Sequence, residues 1–285
     1  MKALAPSLVI AAHGSRNRDW CKQIHEFAAD VADSPGVEFA FAEVRTAFLE
    51  VSKPGIAEAV REMLEAGAPR VLVAPLFLTV STHLGEDVPG VLGKPVPPHV
   101  LSRLRAEGQE ILPHGLPVQL LDLGPLAQIL SANVLRRLSL RVNEPREEAV
   151  LLCAHGSTLH HDAWESLMGR VRRLVMAAGY GYATHAYVRH GAATGSEPAA
   201  EAIAKAASMA GIRKVHVVPV LVGKGRLQSE VIPRACEQAR STRSGLEVVY
   251  AGDAILPDGD LAAHVAAVAL RAIGAFATVD RGALA

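Results

Sequence analysis

The chain of 285 residues is half hydrophobic, with 29 basic side chains set against 29 acidic ones for a formal net charge of zero. At roughly 150 residues per domain the length predicts two domains, and only 20% charged residues excludes a disordered chain or a nucleic-acid binder driven by bulk charge. Charge-free runs such as Val71 to Gly85 are too short and too broken by Pro, Thr and Gly to span a bilayer, and no basic segment followed by an apolar stretch opens the chain, so a soluble, cytoplasmic protein without a membrane partner is expected.

The first apolar run, residues 7–12, predicts a strand buried on both faces, as do the runs at 37–44, 70–76 and 117–121. Between the second and third, Ile56, Val60, Met63 and Leu64 recur at helical spacing, with Ser52 and Pro54 as start signals and Gly67 as the stop. A Pro-rich stretch from Lys94 to Pro117 leads to the fourth; a lid and a longer connection are both open readings. The whole pattern then returns. Leu8 to Ser15 recurs as Val150 to Ser157, an offset of 142. From Trp20 onward the offset is 144, pairing Trp20 with Trp164, Ser52 with Ser196, Pro54 with Pro198, Gly67 with Gly211, Pro75 with Pro219 and Pro89 with Pro233. The chain is therefore one unit written twice, 1–143 and 144–285, joined near Arg141 to Glu148. Strands alternating with amphipathic helices imply in each copy a parallel sheet with right-handed crossovers and helices on both faces.

Sites in such sheets lie outside the carboxyl ends of the strands. That rule selects His13-Gly14-Ser15, Glu50, and the segment Thr79 to Asp87 with His83. Two imidazoles and a carboxylate suit Zn, Fe, Co or Ni; a hydrolytic acid/base site is equally open on pattern alone. The second copy is an internal control. Glu50 corresponds to Thr194 and His83 to Leu227, while His155 keeps the place of His13. Residues required for folding would be needed in both copies, so the asymmetry favours a functional role for Glu50 and His83. Val188-Arg189-His190-Gly191 mimics a histidine-phosphatase loop without that family's N-terminal setting. Gly223-Lys224-Gly225 lacks the earlier glycine of a phosphate loop, and His160-His161 reads as an exposed polar loop. Cys21, Cys153 and Cys236 form no C-x-x-C pair, which leaves disulfides, structural zinc and iron–sulfur clusters unsupported.

Ala-His-Gly-Ser-Arg at 12–16, Thr46-Ala47-Phe48-Leu49-Glu50 leading to Pro54, and Ala74-Pro75-Leu76-Phe77-Leu78 through His83 to Asp87-Val88-Pro89 together resemble the signatures of the sirohydrochlorin chelatases. This is the CbiX and SirB branch of the class II tetrapyrrole chelatases, in its long two-lobed form. The resemblance implies an α/β fold of two flavodoxin-like lobes with a cleft for the macrocycle. It also implies insertion of Co²⁺ or Fe²⁺, as substrate, into sirohydrochlorin for cobalamin or siroheme. His13 and His83 would act at the metal, with Glu50 assisting metal binding or proton removal. Because the implied substrate is a polycarboxylate, Ser15, Arg16, Arg18 and Arg45 are the candidates to hold it, and Lys224 and Arg226 are further candidates in the second lobe. No iron–sulfur centre is expected. Both lobes are covalently joined, so a monomer is the default and a dimer stays open. A tetrapyrrole or metal carrier, and a phosphatase-type hydrolase using His13 or His190, are the competing functions.

Overall fold

A computed structural model describes residues 5–79, 81–140, 144–189, 195–242 and 245–282. The string Arg189-His190-Gly191 and Thr194, the offset counterpart of Glu50, lie wholly or partly outside the described residues. Contacts divide the chain into two units, Met1–Gly124 with Asp258–Ala285, and Pro125–Pro257.

In the first unit β1 (Ser7–Ala12) is buried along its whole length, as a strand of Leu, Val, Ile and Ala flanked by parallel neighbours requires. It lies between β2 (Val44–Phe48) and β3 (Val71–Pro75), and β3 carries β4 (Val118–Leu120) at the edge, giving the all-parallel order β2-β1-β3-β4. Strand alternation sends Val9, Ala11, Val71 and Val73 to one face. There they pack with Ile56, Val60 and Met63 of α3 (Ile56–Glu65), Val88 and Val91 of α4 (Val88–Val91), and Val100 and Leu104 of α5 (Pro98–Ala106). The opposite face is served by α1 (Arg18–Ala32) and α10 (Gly259–Gly282).

The second unit repeats the plan. Its sheet has the order β6-β5-β7-β8, all parallel, from β5 (Glu148–Ala154), β6 (Tyr182–Tyr187), β7 (Lys214–Pro219) and β8 (Glu247–Tyr250). Helices α8 (Glu197–Ala207) and α9 (Ile232–Thr242) share its main core with the strands, and α6 (Ala127–Ser139) packs with α7 (His161–Ala177). Among the described residues no helix is long and apolar enough to cross a membrane.

Three expectations change. Residues 37–44 are not a strand: Gly36, at φ 88°, starts a single helical turn, α2 (Val37–Ala40), and Phe39 is left exposed, so the apolar run never becomes a buried β face. The second strand begins only at Val44. The segment 94–117 is a connection with a packed helix, since α5 contributes Val100 and Leu104 to the core. Finally, the compact units do not coincide with the sequence halves 1–143 and 144–285. The last helix of each half packs in the other unit: α6 buries Leu130, Val134 and Leu138 in the second, and α10 buries Leu261, Val265 and Ala269 in the first.

Candidate metal centre

The order 2-1-3-4 reverses direction beside β1, and the chain leaves the carboxyl ends of β1, β2 and β3 next to one another. His13 follows β1, Glu50 follows β2, and His83 opens a π-helical turn, His83–Asp87, after β3. One ligand atom from each of the three lies within 4.8 Å of the others. His13 Nε2 is 3.9 Å from Glu50 Oε2, and the two imidazole rings meet edge to face with centroids 4.7 Å apart. All three side chains are partly open, between 33% and 45% exposed, so an incoming ion can reach them.

Both imidazoles are oriented by their other nitrogen. His13 Nδ1 lies 3.1 Å from the Gly14 carbonyl oxygen, and His83 Nδ1 lies 2.7 Å from Asp87 Oδ2. A carbonyl and a carboxylate only accept, so each neutral ring carries its proton on Nδ1 and leaves the Nε2 lone pair open. Backbone bonds brace the third group: Glu50 N–H donates to His13 O at 2.8 Å and Leu49 N–H to Ala12 O at 2.9 Å. Gly14, at φ +100°, is needed at this crossing because a Cβ there would sit 1.9 Å from the Glu50 carbonyl oxygen. Ser52 stitches the two loops, accepting from Ser15 N–H and donating to Ser15 O.

Three further residues support the trio and carry no assignment from sequence reasoning. Asp87, 2% exposed, divides its two carboxylate oxygens between His83 and Arg103, whose Nη2 is 2.5 Å from Oδ1. That hydrogen bond raises the Arg103 pKa. Gln109 Nε2 donates to the Leu49 carbonyl at 2.8 Å, beside Glu50. The spacing of Asp87 four residues after His83 is a legible signal; Arg103 and Gln109 come from the irregular 94–117 segment and have none.

The predicted substrate contacts separate. Arg16 and Arg18, just after the His13 loop, are exposed and have no ion-pair partner among the described residues. Arg45 is not brought to the site. It lies early in β2, paired with Val9, and its guanidinium donates to Glu43 and Glu62, both at 2.7 Å, with Glu43 chiefly raising its pKa. The Ser15 hydroxyl accepts from Asn17 N–H, which turns it into the loop. Asn17 in turn caps α1 by accepting from Asp19 and Trp20 N–H, so those amides are spoken for. In the second unit Arg226 is paired with Glu230 at 2.9 Å.

The second unit keeps the backbone without the trio. His155 Nδ1 is 3.0 Å from Gly156 O, repeating the His13 arrangement. A second π-helical turn, Leu227–Val231, occupies the place of His83–Asp87 at the common offset, and Leu227 points into the core. Among the described residues His13, Glu50 and His83 are the one group placed to hold a metal.

The CbiX family model matches residues 7–121 and, a second time, residues 149–265. The chain belongs to the CbiX family. This CbiX-family chain is similar to the sirohydrochlorin cobaltochelatases of Methanopyrus kandleri, 31% identical over 90 residues, and Methanocaldococcus jannaschii, 33% identical over 87. Each match takes in 30% of this chain and 58% of the relative, so the chain spans somewhat over half the length of the curated relatives it matches. Its fold is that of the sirohydrochlorin chelatase SirB from Bacillus subtilis subspecies spizizenii in complex with cobalt, with TM-score 0.62, 15% identity and 98% of each chain covered. It is also that of CbiX, the terminal enzyme for biosynthesis of siroheme in denitrifying bacteria, with TM-score 0.58, 20% identity, and 93% and 99% covered.

Proposed function

We propose that this CbiX-family chain inserts Co²⁺ or Fe²⁺ into sirohydrochlorin. The observation that carries the proposal is the convergence of His13, Glu50 and His83 within 4.8 Å, with both Nε2 lone pairs left open by the bonds at Nδ1. The names of its relatives supply the substrate.

Insertion requires partial dehydration of the ion, distortion of the macrocycle toward it, and release of two pyrrole protons for each metal bound. Two neutral imidazoles replace water ligands without adding charge, and the Glu50 carboxylate offsets the charge of the dication. In this reading His13 and His83 hold the ion, and Glu50 serves as a third ligand or as the relay that passes the two pyrrole protons in turn to the solvent it faces. Arg16 and Arg18, exposed beside the His13 loop, receive the ring carboxylates as charge-assisted hydrogen bonds.

The test follows sirohydrochlorin absorbance with Co²⁺ and with Fe²⁺, with and without protein. A rate increase that is lost in His83→Ala supports the reading. No increase with either metal, while ring and ion still bind, leaves a carrier. Wild-type turnover in His83→Ala overturns the site assignment.

A further inference from the structure

We propose that Asp87 and Arg103 form a lock on the tautomer of His83: Arg103 fixes the carboxylate, and the carboxylate keeps the imidazole proton on Nδ1 so that Nε2 stays available to the metal. The inference rests on the reading of His13, Glu50 and His83 as the metal centre.

The geometry assigns one partner to each carboxylate oxygen, His83 Nδ1 to Oδ2 at 2.7 Å and Arg103 Nη2 to Oδ1 at 2.5 Å. At 2% exposure Asp87 has lost its water, a cost that needs such partners to offset it. Glu86 and Glu107, each 3.7 Å from the same guanidinium, keep Arg103 over the turn. A ligating imidazole oriented by a carboxylate is a general device for fixing ring direction and tautomer.

Folding alone does not call for the pair. The second unit makes the same π-helical turn with Leu227 and Val231 in the places of His83 and Asp87, so histidine and aspartate are replaced together while the backbone stays. Helix α5, which supplies Arg103, likewise has no counterpart among the described residues of the second copy, where β8 (Glu247–Tyr250) is the next element after α9 (Ile232–Thr242). The segment 94–117 thus braces two of the three metal-site residues, His83 through Arg103 and Asp87, and Glu50 through the bond from Gln109 to Leu49.

A distinctive consequence follows from amide chemistry. In Asp87→Asn, Arg103 still demands an acceptor, so the introduced amide turns its oxygen to Arg103 and its NH₂ to His83. Nδ1 must then accept, the proton moves to Nε2, and the ligating lone pair is lost. In a serine-protease triad the analogous swap produces the wrong tautomer and costs about 10⁴ in turnover. Removing Arg103 as well frees the amide to turn its oxygen back to His83.

The experiment is a calorimetric titration of the full chain with Co²⁺ alone, for wild type, Asp87→Asn, Arg103→Met and the double variant, with nitrogen NMR of the metal-free histidines. Asp87→Asn should weaken binding by about 10–100-fold and move the His83 proton to Nε2. Arg103→Met should do less, and the double variant should bind more tightly than Asp87→Asn. A purely structural tie between α5 and the turn predicts the opposite, a double variant at least as impaired as either single one, and that result overturns the lock. So does wild-type affinity in Asp87→Asn. Absence of Co²⁺ binding by the wild type overturns the metal-centre reading itself and the lock with it.

Discussion

Gly14→Ala would place a methyl carbon 1.9 Å from the Glu50 carbonyl oxygen, more than an ångström inside contact distance, and 3.0 Å from its carbonyl carbon. The backbone there has φ +100°, a region in which an L side chain costs about 1–2 kcal/mol. Overpacking against main chain adds about 1–3 kcal/mol, for a loss of about 2–5 kcal/mol. At about 2–4 °C per kcal/mol for a unit of this size, the unfolding midpoint should fall by about 4–20 °C. The strain can be relieved only by moving the Glu50 loop away from the His13 loop, against the bonds from Glu50 N–H to His13 O and from Leu49 N–H to Ala12 O. A displacement of about 1 Å in a reacting group costs on the order of 10² in rate. Thermal unfolding and cobalt insertion should therefore both suffer. Gly156→Ala is the control: its Cβ meets ring atoms of Tyr187 at 2.6 Å, so it should destabilise the second unit and leave Co²⁺ affinity intact. Wild-type affinity together with an unchanged midpoint in Gly14→Ala would refute the reasoning.

Replacing both Arg16 and Arg18 by alanine should raise the KM for sirohydrochlorin about tenfold at low salt while kcat holds, because the pair binds substrate and transition state alike; an unchanged KM removes them from the substrate site. Alkylation of the native protein at pH 8 should label Cys21 alone, since Cys153 and Cys236 are buried and burial raises both thiols, Cys236 to about 11. Mass-spectrometric label on Cys236 before unfolding would contradict this. The Glu165 carboxyl is held below its ordinary 4.5, chiefly by the hydrogen bond from His185, with the Tyr187 hydroxyl adding to it. A depressed carboxyl stabilises the fold above the unfolded value and loses that contribution as pH falls through the folded one. The stability gap between wild type and Glu165→Gln should thus be open at pH 6 and narrow as pH falls below 4.5; a gap constant across that range would show that ionisation plays no part.

What could be read before folding was whatever depends on local pattern and on the strand-end rule. Leu8 to Ser15 and its copy specify a buried strand and a tight turn, and the apolar spacing with Gly67 specifies α3 and its stop, whereas its start is capped by Gly55 with Glu58 and Ser52 is drawn to the Ser15 loop instead. Once β1, β2 and β3 are parallel neighbours, their carboxyl ends collect His13, Glu50 and His83 without further information. Misreadings arose where an apolar or charged residue was judged without its place along a strand. Phe39 is hydrophobic but exposed on a single helical turn, and Arg45 sits near the wrong end of β2, among carboxylates. Arg103 was illegible for a different reason: it reaches Asp87 from 16 residues away through an irregular segment. The exchange of terminal helices was illegible because two copies with the same pattern offer equivalent docking faces, and which face each helix takes is decided by tertiary contacts.

That exchange has a measurable consequence. Helix α10 belongs by sequence to the second copy and by contact to the first unit, where Leu261 and Val265 are buried with Ala262, Ala266 and Ala269, and His264 Nε2 donates to the Leu123 carbonyl at 2.7 Å. Burying a leucine and a valine contributes about 1.5–3 kcal/mol each, and each alanine methyl about 0.8 kcal/mol, so α10 supplies about 5–8 kcal/mol before ordering costs. A domain's entire stability is about 5–15 kcal/mol. Stopping the chain after Pro257 should therefore bring the first unit to its unfolding threshold, although every strand of that unit and the trio His13, Glu50 and His83 are still present. The second unit lies within 125–257 and should be unaffected. Hydrogen exchange separates the two: amides of β1 and β3 should lose protection while those of β5 and β7 keep it. Cutting instead at the repeat junction, after Asn143, deprives the first unit of α10 and also leaves α6 with Leu130, Val134 and Leu138 uncovered, so neither sequence half should fold as the corresponding unit does. Full protection of β1 and β3 in either shortened chain would mean that the sheet and α1 suffice, and that the exchange of helices is a feature of connectivity without energetic weight.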